Sequence, residues 1–295
     1  MAAEVAAPAT RAASLAAPAA ALTAVTLWAS AFVGIRSAGH HFSPGALAFG
    51  RLLVGSTALS ALALIRREPL PAWRDLRLIL LCGVLWFATY SVVLNAAERR
   101  VDAGTASLLT NTGPILIAVL AGVLLREGFP RKLLVGCAIA FVGAAVIGSA
   151  TSKSGIAPSW GAILCVLAAA AYAGGVISQK PVLARVSPLT VTWLACTTGM
   201  VVCLPFAGQL VHNTQHAPSS SIGWVAYLGA GPLALGFLAW AFALKRTTAG
   251  GLGVMTYLVP PIAILMGWAL LGEVPPHLAF AGGVLCLAGV ALSRR

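Results

Sequence analysis

The sequence predicts an all-α integral membrane protein, with ten transmembrane helices arranged as two inverted five-helix repeats around a central cavity. Composition, internal duplication and the placement of positive charge carry this reading. Of 295 residues, 59% are apolar and 9% charged, with a mean hydropathy of +0.93, whereas about a quarter of the residues in a soluble domain are charged. The net charge of +12 could suit nucleic acid. However, Lys and Arg fall in short clusters between apolar runs, so no continuous basic face forms and no nucleic-acid partner is expected.

The duplication is explicit. An offset of 146 sets Gly83 on Gly229, Arg99-Arg100 on Lys245-Arg246, Gly104 on Gly250, Thr110 on Thr256, Pro114 on Pro260, Glu127 on Glu273, Gly136 on Gly282 and Gly143 on Gly289. An offset of 144 sets Trp28 on Tyr172, Arg36 on Lys180 and Ser43-Pro44 on Ser187-Pro188. The two repeats are expected at residues 20–149 and 159–293.

A bilayer core takes about 20 apolar residues per helix, and each apolar run here ends at Gly, Pro or a charge cluster. Residues 1–19 are Ala- and Pro-rich, and Glu4 precedes Arg11, so they read as a disordered tail and not as a cleaved signal. Span one follows at 20–38; span two, 44–65, opens at Pro44 and stops before Arg66-Arg67; span three, 77–97, stops before Glu98-Arg99-Arg100. Span four, 104–125, runs from Gly104 to Arg126-Glu127. Span five, 131–149, starts at Arg131-Lys132 and carries Gly136, Ala140, Ala144 and Gly148 at every fourth position, a small-residue stripe that lets helix backbones approach. The second repeat follows with spans at 159–179, 188–210, 222–244, 250–271 and 277–293.

With the amino terminus inside, the inner side collects fourteen positive residues and the outer side keeps four, Arg36, Arg99, Arg100 and Lys153. This asymmetry places both termini in the cytoplasm. Five spans per repeat is an odd number, so the second repeat enters from the opposite side and the repeats are inverted.

Pro114 and Pro260 lie mid-span, where proline removes a backbone hydrogen bond and clashes with the carbonyl four residues earlier. Those carbonyls belong to Thr110 and Thr256, followed by Asn111 and Tyr257. Paired helix breaks in corresponding positions point to a solute site, although a packing kink satisfied by the Thr side chain fits as well. Trp28, Tyr90, Tyr172, Trp240 and Tyr257 are further candidates to line a cavity, with Trp160 and Trp224 fitting the interfacial belt. Arg51 lies seven residues into span two, with Ala195 as its counterpart. Anion attraction, snorkelling and a structural bond to a carbonyl all remain open for it.

No Asp or Glu falls mid-span, which disfavours a buried-carboxylate proton relay. The six cysteines form no metal-ligand spacing and read as packing residues. His212 and His216, four residues apart, would form a metal pair if helical but read as part of a solvated Pro- and Ser-rich loop, so no metal and no cofactor are expected.

Leu27-Trp28-Ala29-Ser30-Ala31-Phe32, Pro44 with Arg51, and Gly104-Thr105-Ala106-Ser107-Leu108-Leu109 leading to Pro114 and Glu127 resemble the drug/metabolite transporter superfamily, bacterial branch with two EamA repeats. Ala249-Gly250-Gly251-Leu252 through Pro260 to Glu273 is similar to the second copy. The resemblance covers nearly all of the chain after residue 20. It implies ten helices, alternating access through a central cavity, and Pro44 to Arg51 as an ordinary feature of the first repeat.

The expected function is secondary transport of a small-molecule substrate across the inner membrane, most readily export of amino acids or amino-acid-like metabolites, by a lipid-embedded monomer or homodimer. Efflux of lipophilic or aromatic compounds is the alternative within transport. A membrane enzyme would need clustered Asp, Glu, His or Cys or a motif such as Gly-x-Ser-x-Gly, and a non-transporting partner would need long loops; neither feature occurs.

Overall fold

The computed structural model describes residues 11–101, 106, 109–151, 160–272, 274 and 276–293. Its helices are α1 (Arg11–Gly39), α2 (Pro44–Arg66), α3 (Trp73–Ala97), α4 (Gly113–Leu124), α5 (Arg131–Thr151), α6 (Trp160–Val182), α7 (Pro188–Val202), α8 (Ser219–Arg246), α9 (Ala249–Leu270) and α10 (His277–Ser293). Among the described residues seven helices are long and apolar enough to cross a membrane, and α7 with its continuation Leu204–His216, bent by 55°, counts as an eighth only when the two are taken together as one span. The shorter apolar helices α4 and α10 occupy the positions of expected spans four and ten.

Two expectations shift. Helix α1 begins at Arg11, inside the expected tail, whose residues 1–10 lie outside the described residues. His212 and His216 sit on a helix, Ala207–His216, and not in a loop: one turn apart, their rings are 4.7 Å apart and His216 Nδ1 lies 2.8 Å from the His212 carbonyl.

The Ser-Pro pairs that recur at 43–44 and 187–188 start α2 and α7. Each serine accepts a backbone N–H of the first turn, Ser43 from Ala46 at 3.4 Å and Ser187 from Thr190 at 3.0 Å. The proline that follows sits where its missing N–H costs nothing.

The two repeats interlock by reciprocal pairs. A Cβ on Gly136 would lie 2.6 Å from the Gly289 carbonyl, and a Cβ on Gly143 the same distance from the Gly282 carbonyl. Exchanging each residue for its counterpart turns the first pair into the second. Because Gly136 meets Gly289 while Gly143 meets Gly282, α5 and α10 run antiparallel, which is the inversion inferred from the odd span count. Another reciprocal set joins Gly83 to Ala195 and Gly229 to Arg51: a Cβ on Gly83 would lie 2.6 Å from the Ala195 carbonyl, and one on Gly229 would lie 2.8 Å from the Arg51 carbonyl.

Gly83 and Gly229 also open the two π-helical stretches of the fold, Gly83–Thr89 in α3 and Gly229–Leu235 in α8. These occupy corresponding positions residue for residue. A π turn adds a residue to the helical repeat and re-aims the side chains beyond it. In the first repeat that turn carries Trp86, and in the second its counterpart is Pro232.

Candidate functional site

Between the repeats lies a connected aromatic cluster. Trp28 of α1 meets Trp86 at 6.0 Å, Phe237 at 5.2 Å and Trp240 at 5.1 Å between ring centroids. Trp86 in turn meets Tyr172 at 5.1 Å and Phe237 at 4.7 Å, and Tyr172 meets Tyr90 at 6.0 Å. Offset and edge contacts at these separations are favourable. They depend on local backbone features: the Trp28 indole donates to the Pro232 carbonyl at 3.2 Å, on the π turn of α8, and Gly175 of α6 leaves its backbone against Trp86.

The two helix breaks adjoin this cluster. Helical residues at 109–110 give way to a turn at Asn111–Thr112 before α4 restarts at Gly113-Pro114. In α9 the interruption is a 3₁₀ turn, Thr256–Leu258, ahead of Val259-Pro260. Both prolines thus sit in the first turn of a restarted helix. Tyr257 donates to the Asn111 carbonyl across the repeats at 3.0 Å. The Tyr172 ring covers Gly113, where a Cβ would lie 2.7 Å from Cδ1.

Of the two readings open for the threonines, their hydroxyls make the local bond of a kink. Thr110 Oγ1 donates to the Ala106 carbonyl at 2.7 Å and Thr256 Oγ1 to the Gly253 carbonyl at 2.7 Å, each within its own helix. The Thr256 carbonyl, expected to be freed by Pro260, accepts the Val259 N–H across the 3₁₀ turn. The short turn therefore repairs the proline defect locally, as Ser/Thr side chains and 3₁₀ adjustments commonly do in membrane helices.

Trp28, Tyr90, Tyr172 and Trp240 thus come together, and Asn111, Thr256 and Tyr257 adjoin them through the breaks. Arg51 is half-buried in α2, and its backbone abuts Gly229. The sequence shows Trp86 and Gln179 as an aromatic and an amide within the spans without assigning either to the site, although Trp86 lies three residues after the repeated Gly83 and Gln179 has Ile35 as its counterpart; Phe87 and Phe237 carry no such signal.

Gln179 is fully buried, and neither of its amide atoms has a hydrogen-bond partner among the described residues. The same holds for the Trp240 indole nitrogen, in a side chain 0% exposed, whereas the Tyr172 hydroxyl, 8% exposed, makes no well-formed hydrogen bond but lies beside the Thr256 side chain. Tyr172 and Gln179 are seven residues apart on α6, which places them on one face two turns apart. Each unmet buried group costs about 1–3 kcal/mol, and native structures keep few of them.

At one end of the bundle the repeats are joined by charge. Arg185 and Asp75 form an ion pair, the Glu68 carboxylate accepts from Ser187 at 2.6 Å and Thr190 at 2.8 Å, and Glu127 accepts the Ala249 and Gly250 N–H groups at 2.7 and 3.0 Å. Lys180 donates to the Leu244 carbonyl at 2.7 Å and also to the Thr247 carbonyl. Glu127 therefore caps the start of α9 and Lys180 the end of α8, each matching the helix dipole. Glu273, the counterpart of Glu127, lies outside the described residues. The opposite end is joined by neutral pairs, Ser43 Oγ with Gln209 at 2.7 Å and the Ser43 N–H with the Asn213 side-chain oxygen at 2.9 Å, while Ser30 meets Tyr227 at 2.6 Å deeper along α1.

A family model, the EamA-like transporter family, matches residues 15–149 and again 159–295. The chain belongs to the EamA-like transporter family. It is similar over 277 residues, 93% of its length and 91% of the relative's, to a probable terminal-alkyne amino-acid exporter of Streptantibioticus cattleyicolor, at 40% identity. It is 27% identical to a probable amino-acid metabolite efflux pump of Salmonella typhimurium, covering 92% of this chain and 93% of that one. An uncharacterized transporter of Bacillus subtilis, YdfC, is 32% identical over 91% of this chain and 88% of its own. A solved crystal structure superposes with a TM-score of 0.80 over 94% of this chain and 98% of the other at 21% identity, which establishes the shared fold. This EamA-family protein is accordingly a multi-pass membrane transporter, and the matched halves coincide with the repeats that interlock through α5 and α10.

Proposed function

We propose that this protein exports amino acids or amino-acid-like metabolites across the inner (plasma) membrane by alternating access, with both termini cytoplasmic and repeats at 20–149 and 159–293. The observation that carries the reading is the pair of buried polar groups inside the aromatic cluster between the repeats, the Trp240 indole N–H and the Tyr172 hydroxyl, with the unpartnered Gln179 amide two turns further along α6 toward the cytoplasmic end. An amide can donate to a carboxylate and accept from an ammonium, a phenol can do either, and an indole N–H only donates. Together they suit a zwitterion whose side chain stacks on Trp28, Trp86 or Tyr90. The described conformation has its rings in contact, so the solute would enter as the repeats part. The names of the relatives support both the solute class and the outward direction.

In this reading Asn111, Thr110, Thr256 and Tyr257 shape the helix breaks around Pro114 and Pro260. The ion pair and carboxylate caps hold the cytoplasmic side shut while the neutral pairs on the other side yield first. Arg51, half-buried in α2, is the cation on hand to attract the solute's carboxylate, with a structural bond within its helix pair as the competing role. The density of rings favours a second reading, efflux of aromatic compounds.

Counterflow from proteoliposomes against a panel of amino acids, their decarboxylated amines and uncharged aromatics tests both. Exchange restricted to solutes bearing both ammonium and carboxylate supports the first reading. Exchange of uncharged aromatics alone overturns it in favour of the second.

A further inference from the structure

Where the start of α5, the start of α9 and the end of α10 meet, a pocket of about 320 Å³ opens, lined by Arg131, Lys132, Leu133, Thr248, Gly251 and Ser293 among others. We propose that it binds the phosphate headgroup of an anionic membrane phospholipid. Two exposed cations stand at its rim. Thr248 Oγ1 accepts the Gly251 N–H at 3.2 Å, which leaves its hydroxyl proton to donate to a phosphate oxygen. The nearby Glu127 carboxylate points at the Ala249 and Gly250 amides, and its single negative charge against Arg131 and Lys132 leaves a net positive rim. The first turn of α5 adds the positive end of a helix dipole.

Position selects a lipid over a soluble anion. The pocket sits at helix ends, and exposed apolar side chains run away from it along the same helices, Leu134 and Val135 on α5 and Leu287 on α10. A two-tailed molecule can place its headgroup in the pocket and its chains on that surface. Basic pockets between membrane helices on the cytoplasmic side bind anionic headgroups in this manner, and the inner side is where positive charge accumulates in this chain. The proposal rests on the orientation given under the proposed function and stands whatever solute is carried.

The test uses the purified full-length protein in detergent, with native mass spectrometry and thermal unfolding in phosphatidylglycerol, phosphatidylcholine or inorganic phosphate. Phosphatidylglycerol is expected to leave a retained adduct and raise the unfolding temperature, while the other two do neither. Each charge removed, Arg131→Gln or Lys132→Gln, should lower adduct retention about fivefold with the lipid-free unfolding temperature unchanged, and Arg131→Lys should retain the adduct. Equal retention of phosphatidylcholine, protection by phosphate without a lipid adduct, or undiminished retention in the two Gln variants would each overturn the assignment. If a Gln variant unfolds early, the Arg131→Lys and Lys132→Arg variants carry the comparison, and loss of the adduct in both would overturn a headgroup site built on charge.

Discussion

Tyr257 donates its phenolic proton to the backbone carbonyl of Asn111, its own counterpart 146 residues earlier. Residues related by a two-fold rotation can touch only on the axis of that rotation. Two further bonds join counterparts, Cys196 Sγ to the Leu52 carbonyl at an offset of 144 and Cys286 Sγ to the Ala140 carbonyl at 146. The pseudo-two-fold axis therefore runs between α2 and α7, between the α4 and α9 breaks, and between α5 and α10. Any relative rotation of the repeats must strain or slide these three contacts.

Because the Tyr257 hydroxyl serves the axis, Tyr257→Phe should cost about 1 kcal/mol of stability and leave the apparent KM for exported solute close to that of the parent. Thermal unfolding and vesicle uptake measured on the same preparation check this. A large rise in KM at unchanged stability would place the phenol on the solute instead.

Gln179 gives the opposite signature. Replacing an unsatisfied buried amide by an apolar group of similar size removes a desolvation cost, so Gln179→Leu should be neutral or stabilising. If the amide is reserved for the solute's charged groups, the same variant should raise KM about tenfold or more, the equivalent of one charge-assisted hydrogen bond. Unchanged transport with raised stability would show the amide to be an unused defect.

Much of this architecture was legible in sequence because duplication leaves pairs: Ser43-Pro44 with Ser187-Pro188, Gly136 with Gly282, and Pro114 with Pro260 each mark a structural event that occurs twice. The helix breaks were placed to within a turn, since proline at membrane depth has few uses. What Thr110 and Thr256 do with their hydroxyls was not legible, because a back-bond to the preceding turn and an inward-facing hydroxyl have the same sequence signature. The π turns were hidden as well, for their cause is tertiary: Gly83 and Gly229 let α3 and α8 press against α7 and α2, and no local periodicity reports that approach. Gln179 stood out only by breaking symmetry with Ile35.

The close approach at the π turns predicts a strict size limit. Gly83→Ala would drive a Cβ to 2.6 Å from the Ala195 carbonyl and Gly229→Ala to 2.8 Å from the Arg51 carbonyl, and backbone atoms have little room to yield. Overpacking of this kind costs about 1–3 kcal/mol. Both variants should reach the membrane in lower amounts and unfold earlier, by similar margins. Gly208→Ala, where a Cβ would meet nothing within 4 Å, is the matched control and should behave as the parent; equal tolerance at all three positions would mean that the interlock is slack.

Orientation is open to direct measurement. Arg74→Cys, placed in a background with the buried native cysteines replaced, should resist an impermeant thiol reagent in intact cells and react in inside-out vesicles. Strong labelling from outside would reverse the charge-based topology and with it the side assigned to the ion pair.

The ion pair itself then becomes the test of gating. Arg185 approaches Asp75 through both Nε and an Nη, with Nε 3.1 Å from Oδ1, a two-point geometry that an ammonium cannot reproduce. If this pair keeps the cytoplasmic side closed, removing it shifts the population toward the state open to that side. Gln179, near the same end of α6 and fully buried, supplies the reporter. In inside-out vesicles a cysteine at that position, Gln179→Cys, should react severalfold faster when combined with Asp75→Asn or Arg185→Lys than alone. Adding Gln209→Ala, which removes the side-chain bond to Ser43 at the other end, should slow the reaction or leave it unchanged, because it weakens the opposite closure. Equal reaction rates in all four backgrounds would leave the pair a surface contact with no part in the cycle.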